Sequence, residues 1–190
     1  MKSIRRVIAG IDENGSSVFV SDEVVEAVVP PTLGGNEILQ LFGGDETPLV
    51  PNDGTVQEGL RFFPTNKDGY RFIIFTYPPE SEITVPEDAA AAWEETERLT
   101  PGMGDAVSDS SGMHYTATVD IEYVLNGEFT LTLDSGQSKV LKAGDCIVHC
   151  GENHSWANKS DAPATMLLVF IGANQDVSRF GEHGGGGGGH

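Results

Sequence analysis

Between Met113 and Glu128 the chain reads MHYTATVDIEYVLNGE, placing one histidine and two carboxylates, His114, Asp120 and Glu122, in a run of strand-forming residues. Counted by twos, Thr116, Thr118, Asp120 and Glu122 share one face of a strand, and Val119, Ile121, Tyr123 and Leu125 share the other. Two carboxylates on one face lie about 7 Å apart. In a confined pocket their like charges push one pKa upward, giving an acid beside an ionised base. Two readings stay open. On an open sheet the polar face meets water and the apolar face packs inward. In a closed barrel the polar face lines a pocket, and the apolar face packs on an outer layer or a partner subunit. For His114 and Asp120 to meet at one site, the roughly 20 Å of straight strand between them must bend. The bend falls near Thr116 to Val119, where neither Gly nor Pro stands.

The elements that must hold these groups are mostly strands. RRVIAGI, SSVFVSD, YRFIIFTY, IEYVLNG, FTLTLD, CIVHC and TMLLVFIGA are short runs rich in Val, Ile, Phe and Tyr, separated by turn sequences such as DENG, NKDG, LNGE and DSGQ. Many short strands with tight turns predict an all-β sandwich or barrel. One helix is expected in PEDAAAAWEETERL, with Pro86 in its first turn, Glu87 and Asp88 behind it, four alanines, and Arg98 near its end. The Pro- and Gly-dense stretch from about residue 26 to 60 reads as an irregular arm with one short strand at EILQLF. Residues 1–180 read as one domain, and the tail GEHGGGGGGH, residues 181–190, as disordered because it has almost no side chains to pack.

Charge limits the partners. Eleven basic against 29 acidic residues in a chain of 190 give a formal charge of −18, which repels nucleic-acid backbones and anionic membrane surfaces. MKSIRRVIAG lacks the apolar run of a signal peptide, and no segment approaches the ~20 apolar residues of a membrane span. A cytoplasmic protein is expected. Cys146 and Cys150 in CIVHC lie too far apart along a strand for an easy disulfide, so buried free thiols are expected. His149 has the opposite parity, so either it or the cysteines face the interior.

The constellation from Gly112 to Ala173 resembles the cupins, small jelly-roll barrels whose two short motifs supply metal ligands from inside. The first motif (His, one residue, His, three or four residues, Glu, six residues, Gly) is matched in spacing by His114, Thr116, Asp120 and Gly127, with Thr116 in place of the second histidine and Asp120 in place of the glutamate. The second motif is matched by Gly151, His154 and Asn158 in GENHSWAN. KAGD, ending at Asp145, is similar to the family's approach to that motif, though one residue is missing between Gly144 and Gly151 and His149 stands where proline is common. The HxTxTxD form is similar to a branch of single-domain, conserved-barrel cupins. The resemblance implies an all-β cupin jelly-roll with an N-terminal strand arm and one inserted helix, its motif-bearing half at residues 112–173.

It also implies a divalent metal, Fe, Zn, Mn or Ni, held by His114, Asp120 and His154, a two-histidine, one-carboxylate set with open positions. Asp120, Glu122 and His154 are the candidate catalytic groups, and Arg71, Tyr70, Thr116 and Trp156 the candidate substrate contacts. Arg71 is a cation able to hold a carboxylate bidentately. Trp156 and Asn158 are read as orienting a turn that carries His154, and Trp93 and Met103 as anchoring the helix. The leading expectation is an enzyme acting on a small organic molecule through the metal, of oxygenase, decarboxylase, isomerase or dehydratase type. The rivals are metal-free lyase or isomerase chemistry by Asp120 and Glu122, and a non-catalytic binding barrel. The apolar outer face of IEYVL and TMLLVFI predicts a homodimer.

Overall fold

The structure, a computed structural model, describes residues 1–106 and 112–180. The expected disorder of residues 181–190 lies outside the described residues. The element order is β1 (Ser3–Ile11), β2 (Ser17–Glu26), β3 (Glu37–Gly44), β4 (Tyr70–Tyr77), α1 (Ala89–Leu99), α2 (Met103–Ala106), β5 (Thr118–Asn126), β6 (Glu128–Leu133), β7 (Ser138–Lys142), β8 (Cys146–His149), β9 (His154–Ala157) and β10 (Ala164–Gly172). The fold is an all-β jelly-roll in which every strand pair is antiparallel.

A five-stranded sheet in the order β3-β4-β10-β5-β8 faces a three-stranded sheet in the order β7-β6-β9. Ile38, Phe75, Val124 and Met166 from the first and Phe129 and Leu131 from the second meet in one buried cluster. The β1–β2 hairpin lies outside this pair. Its Ile4 and Val25 pack with Leu39, Leu41, Ile74 and Leu167, so the hairpin covers part of the outer face of the larger sheet.

The expected helix is present but begins later. Asp88, not the first turn at Pro86, is the N-cap, its side chain accepting from the Ala91 N–H at 3.0 Å. A further short turn, α2, follows it, so the inserted segment is not a single helix. Strands β7 and β9 were not expected, because SKVLK and HSWA are too short and too polar to announce themselves. Gly127 alone links β5 to β6, at φ 76°, and a Cβ there would stand 2.8 Å from the Ala164 Cα. That position tolerates only glycine, so this glycine of the first motif is a hairpin requirement. In the turn that carries the chain from β7 to β8, in the other sheet, the Asp145 carboxylate accepts from the Lys142 N–H at 2.8 Å.

Candidate functional site

Strand β5 reverses the open-sheet expectation. Asp120 and Glu122 are 3% and 4% exposed, whereas Ile121 and Tyr123 on the opposite face are 43% and 44% exposed. The polar face points into the barrel because both sheets close over it, and the apolar face is left outside. His114 reaches the same interior because the chain bends at Ala117, before β5 begins. In the absence of Gly and Pro, side chains and distant backbone make the bend. The Thr116 and Thr118 hydroxyls are hydrogen-bonded at 2.6 Å across it, and the Ala173 N–H donates to the Ala117 carbonyl at 2.8 Å.

His114 and His154 therefore converge across forty residues. They form an isolated antiparallel bridge with reciprocal N–H to carbonyl bonds of 2.9 Å, and their rings lie 4.6 Å apart. His154 belongs to strand β9 and not to the turn expected from its glycine neighbour. The Nδ1 of His114 is 3.0 Å from the Gly112 carbonyl and that of His154 is 3.0 Å from the Glu152 carbonyl. A carbonyl only accepts, so each Nδ1 carries the proton and each Nε2 carries the lone pair. Burial lowers both pKa values, that of His154 to about 3, so both rings are neutral.

The carboxylates are buried without full compensation. Burial raises Asp120 to about 7, against the hydrogen bond from Thr118. Burial also raises Glu122, against the opposing pull of His149. Asp120 Oδ1 and Glu122 Oε2 are buried and have no hydrogen-bond partner among the described residues. His149, opposite Asp120 in the ladder, is fully buried and stacks on His154 with centroids 3.9 Å apart. Its Nε2 is 3.8 Å from Glu122 Oε2, and its Nδ1 is bonded to the Glu152 carboxylate. Burial would lower His149, but Glu122 and Glu152 outweigh it and raise it to about 9. Glu152, which burial alone would raise, is brought to about 2 by His149 and by the Cys150 N–H. With His149 inside, Cys146 and Cys150 are both exposed and unpaired; the expected buried thiols are on the wrong face.

These groups occupy one end of a cavity of about 480 Å³. Phe62, Phe63, Phe75, Tyr77, Trp156 and Phe170 form much of its wall, with Met103 among the apolar remainder. His114, Asp120, Glu122 and His154 line it, and so does Trp156, as expected of a substrate contact. Thr116 is buried beside it with its hydroxyl engaged by Thr118. Arg71 and Tyr70 are elsewhere. The Arg71 guanidinium, 2% exposed, donates to the carbonyls of Arg61, Gly44 and Tyr70 and to Asp45 Oδ1 at 2.7–2.9 Å, and Tyr70 packs on Gly44 and Phe42. A guanidinium with four such acceptors has little left for a ligand, and structural pairing is its role. Trp93 is 43% exposed on α1 and contacts Gly104, while Asn158 braces the chain after β9 through the Tyr77 and Ala162 carbonyls.

The donor set fits a divalent ion in its chemistry: two neutral imidazoles with free Nε2 lone pairs beside a buried carboxylate whose Oδ1 has no hydrogen-bond partner among the described residues. Among the described residues, the group of three whose ligand atoms all lie within 4.8 Å is a different one, His149, Glu152 and His154. Its atoms are already hydrogen-bonded to one another and to backbone. Among the described residues His114, Asp120 and His154 do not form a group at that spacing. Glu152 gave a usable signal in the sequence, since it stands three residues after His149 across Gly151. The aromatic wall gave none, because Phe62 and Phe63 sit in a stretch without regular structure.

Residues 103–170 match the family profile described as "Cupin domain". Over 171 residues, 90% of this chain and 78% of the relative, the chain is 30% identical to the phomopsin biosynthesis cluster protein C' of Diaporthe leptostromiformis. It is 25% identical over 179 residues, 92% of this chain and 75% of the relative, to the cupin-domain-containing oxidoreductase fogC of Aspergillus ruber (strain CBS 135680). Among solved structures, an RmlC-like cupin from Shewanella frigidimarina NCIMB 400 aligns at 16% identity over 80% of this chain and 87% of that one, with a TM-score of 0.41. The chain belongs to the cupin family.

Proposed function

We propose that this cupin is an enzyme acting on a small organic molecule in the barrel cavity, through a divalent metal held by His114, His154 and Asp120. The observation that carries this is the pair of neutral histidines, rings 4.6 Å apart, each with Nδ1 fixed by a carbonyl and Nε2 left as a donor beside an uncompensated carboxylate. Relatives of oxidoreductase name agree with an enzyme. When bound, such an ion supplies Lewis acidity toward a substrate oxygen. The chain's own part is to hold the substrate against the aromatic wall, to exclude water, and to set Glu122, a buried carboxyl facing His149 Nε2 at 3.8 Å, where it can exchange a proton with the substrate.

A second reading, metal-free acid/base chemistry, is favoured by the contact of Glu122 with His149, which leaves Glu122 and Asp120 as carboxyls in different environments. Metal loading separates the two. In protein with His183→Ala and His190→Ala, so that the tail cannot bind ions, elemental analysis after incubation with Fe, Zn, Mn or Ni should return about one ion per chain. His154→Ala and Asp120→Asn should abolish or sharply reduce that occupancy, and Glu122→Gln should preserve it. An empty wild type, or occupancy indifferent to His154→Ala, overturns the metal reading. Activity that ignores chelators and loses one limb of its pH profile in Glu122→Gln supports the second.

The same reading includes a cytoplasmic site of action and a second copy of the chain on the exposed outer face. Free Cys146 and Cys150 fit the first. Ile121, Tyr123, Val148 and Ile171, all exposed on the larger sheet beyond the β1–β2 hairpin, fit the second. No helix among the described residues is long and apolar enough to cross a membrane.

A further inference from the structure

We infer that the cavity selects a ring-bearing molecule without anionic groups that presents a hydroxyl to the His114, His154 and Asp120 end, and that it rejects carboxylates and phosphates. This deepens the proposed reading and rests on the cavity being the substrate site.

The wall decides the body of the ligand. Six aromatic side chains, Phe62, Phe63, Phe75, Tyr77, Trp156 and Phe170, surround a space of about 480 Å³. Phe63 and Phe170 lie within 5.1 Å of each other, with Phe62 edge-on to both. Such a wall gains most from a flat ring, by offset or edge-to-face contact. The volume is in the range of about 300–1,000 Å³ that encloses a drug-sized molecule.

The charges decide what the ligand cannot be. Among the described residues lining the cavity, no Lys or Arg is present, and the charged types are the acids Glu80, Asp120 and Glu122. Arg71, the anion clamp expected from the sequence, is turned to backbone carbonyls and Asp45. An anion entering here would lose its hydration and meet carboxylates instead of a counter-ion. The polar end offers mainly acceptors, since His114 and His154 both present Nε2 lone pairs. A hydroxyl hydrogen matches them without bringing net charge.

Two naphthalene probes of nearly equal size test this at pH 7.5 on the full chain, dialysed against EDTA so that no bound ion captures a carboxylate: 2-naphthol and 2-naphthoate. Equilibrium dialysis should give a 2-naphthol affinity at least tenfold above that of 2-naphthoate. Phe63→Ala should weaken 2-naphthol at least fivefold. Ile83→Lys, a change at a half-exposed position on the cavity rim, should raise 2-naphthoate affinity at least fivefold while leaving 2-naphthol within twofold. The inference is overturned by 2-naphthoate binding as tightly as 2-naphthol, by no measurable 2-naphthol binding, or by 2-naphthol binding that ignores Phe63→Ala. Because the readout is equilibrium binding without metal, the preference can stand where the metal centre fails, and metal occupancy can stand where the preference fails.

Discussion

Asp120 is the residue whose replacement should reveal most about the barrel. Its carboxyl rises from 3.8 to about 7 in the folded chain, with burial the largest cause and the Thr118 hydrogen bond and the His149 charge offsetting it only in part. A group with a raised folded pKa stabilises the fold relative to its ionised state only below its unfolded pKa, and that contribution is lost as pH climbs toward the folded value. In metal-free protein the penalty should thus be near zero at pH 4, grow through pH 5 and 6, and level off above about pH 7. About three pKa units correspond to a ceiling of about 4 kcal/mol. Asp120→Asn keeps the shape of the protonated acid and removes the titration, so it should raise stability at pH 8 and leave it nearly unchanged at pH 4.

At this chain length each kcal/mol moves the melting temperature by about 2–4 °C, so the shift at pH 8 is bounded at roughly 8–16 °C. The assay is thermal and urea unfolding of wild type and variant at pH 4, 6 and 8 after exhaustive chelation. A variant less stable than wild type at pH 8, or a difference equal at pH 4 and pH 8, would show that Asp120 is ionised and well paired at neutral pH. The account of its environment given above would then fail. A saturating divalent ion should also narrow the gap, because it stabilises the wild type and has less to bind in the variant.

Arg71→Met should cost about 3 kcal/mol, since it strips a buried donor from three carbonyls and Asp45; urea unfolding measures this, and 2-naphthol affinity should be unchanged, a large loss of affinity returning Arg71 to a substrate role. Light scattering at micromolar concentration should give twice the 20.2 kDa chain mass, and Tyr123→Glu on the exposed face of β5 should shift the protein toward the monomer. A wild-type mass of 20.2 kDa at that concentration refutes the dimer.

Most of the fold was legible because its strands carry β-branched and aromatic runs between turn residues, and YRFIIFTY coincides with β4 residue for residue. The arm and its one strand, EILQLF, were legible for the same reason, since β3 spans Glu37–Gly44 between Pro- and Gly-rich stretches. What failed locally failed by shortness: SKVLK and HSWA are four or five residues with few apolar side chains, and their strand state is imposed by pairing with β6. The helix start was displaced because Pro86 is an acceptable first-turn residue, yet Asp88 two residues on offers a better cap.

The candidate site was legible as a set of residues and illegible as a geometry, and β5 shows why. Alternation specifies that Asp120 and Glu122 share a face, but a period of two is the same whether that face meets water or a barrel interior. The choice is made by partners far away in sequence: β8 places His149 opposite Asp120, and β10 places Phe170 opposite it on the other side. The same pairing explains the misplaced cysteines, because once His149 faces inward, strand parity sends Cys146 and Cys150 out. Arg71 was misjudged through its neighbours, since the carbonyls of Gly44 and Arg61 that bind it belong to irregular or strand-end backbone whose path no local pattern encodes. Thr116 is the converse case. Its loss of an imidazole donor was visible in the sequence, but its hydroxyl bonds Thr118 across the bend that brings His114 to His154, so the substitution that weakens the family's ligand set also helps hold the remaining two histidines together.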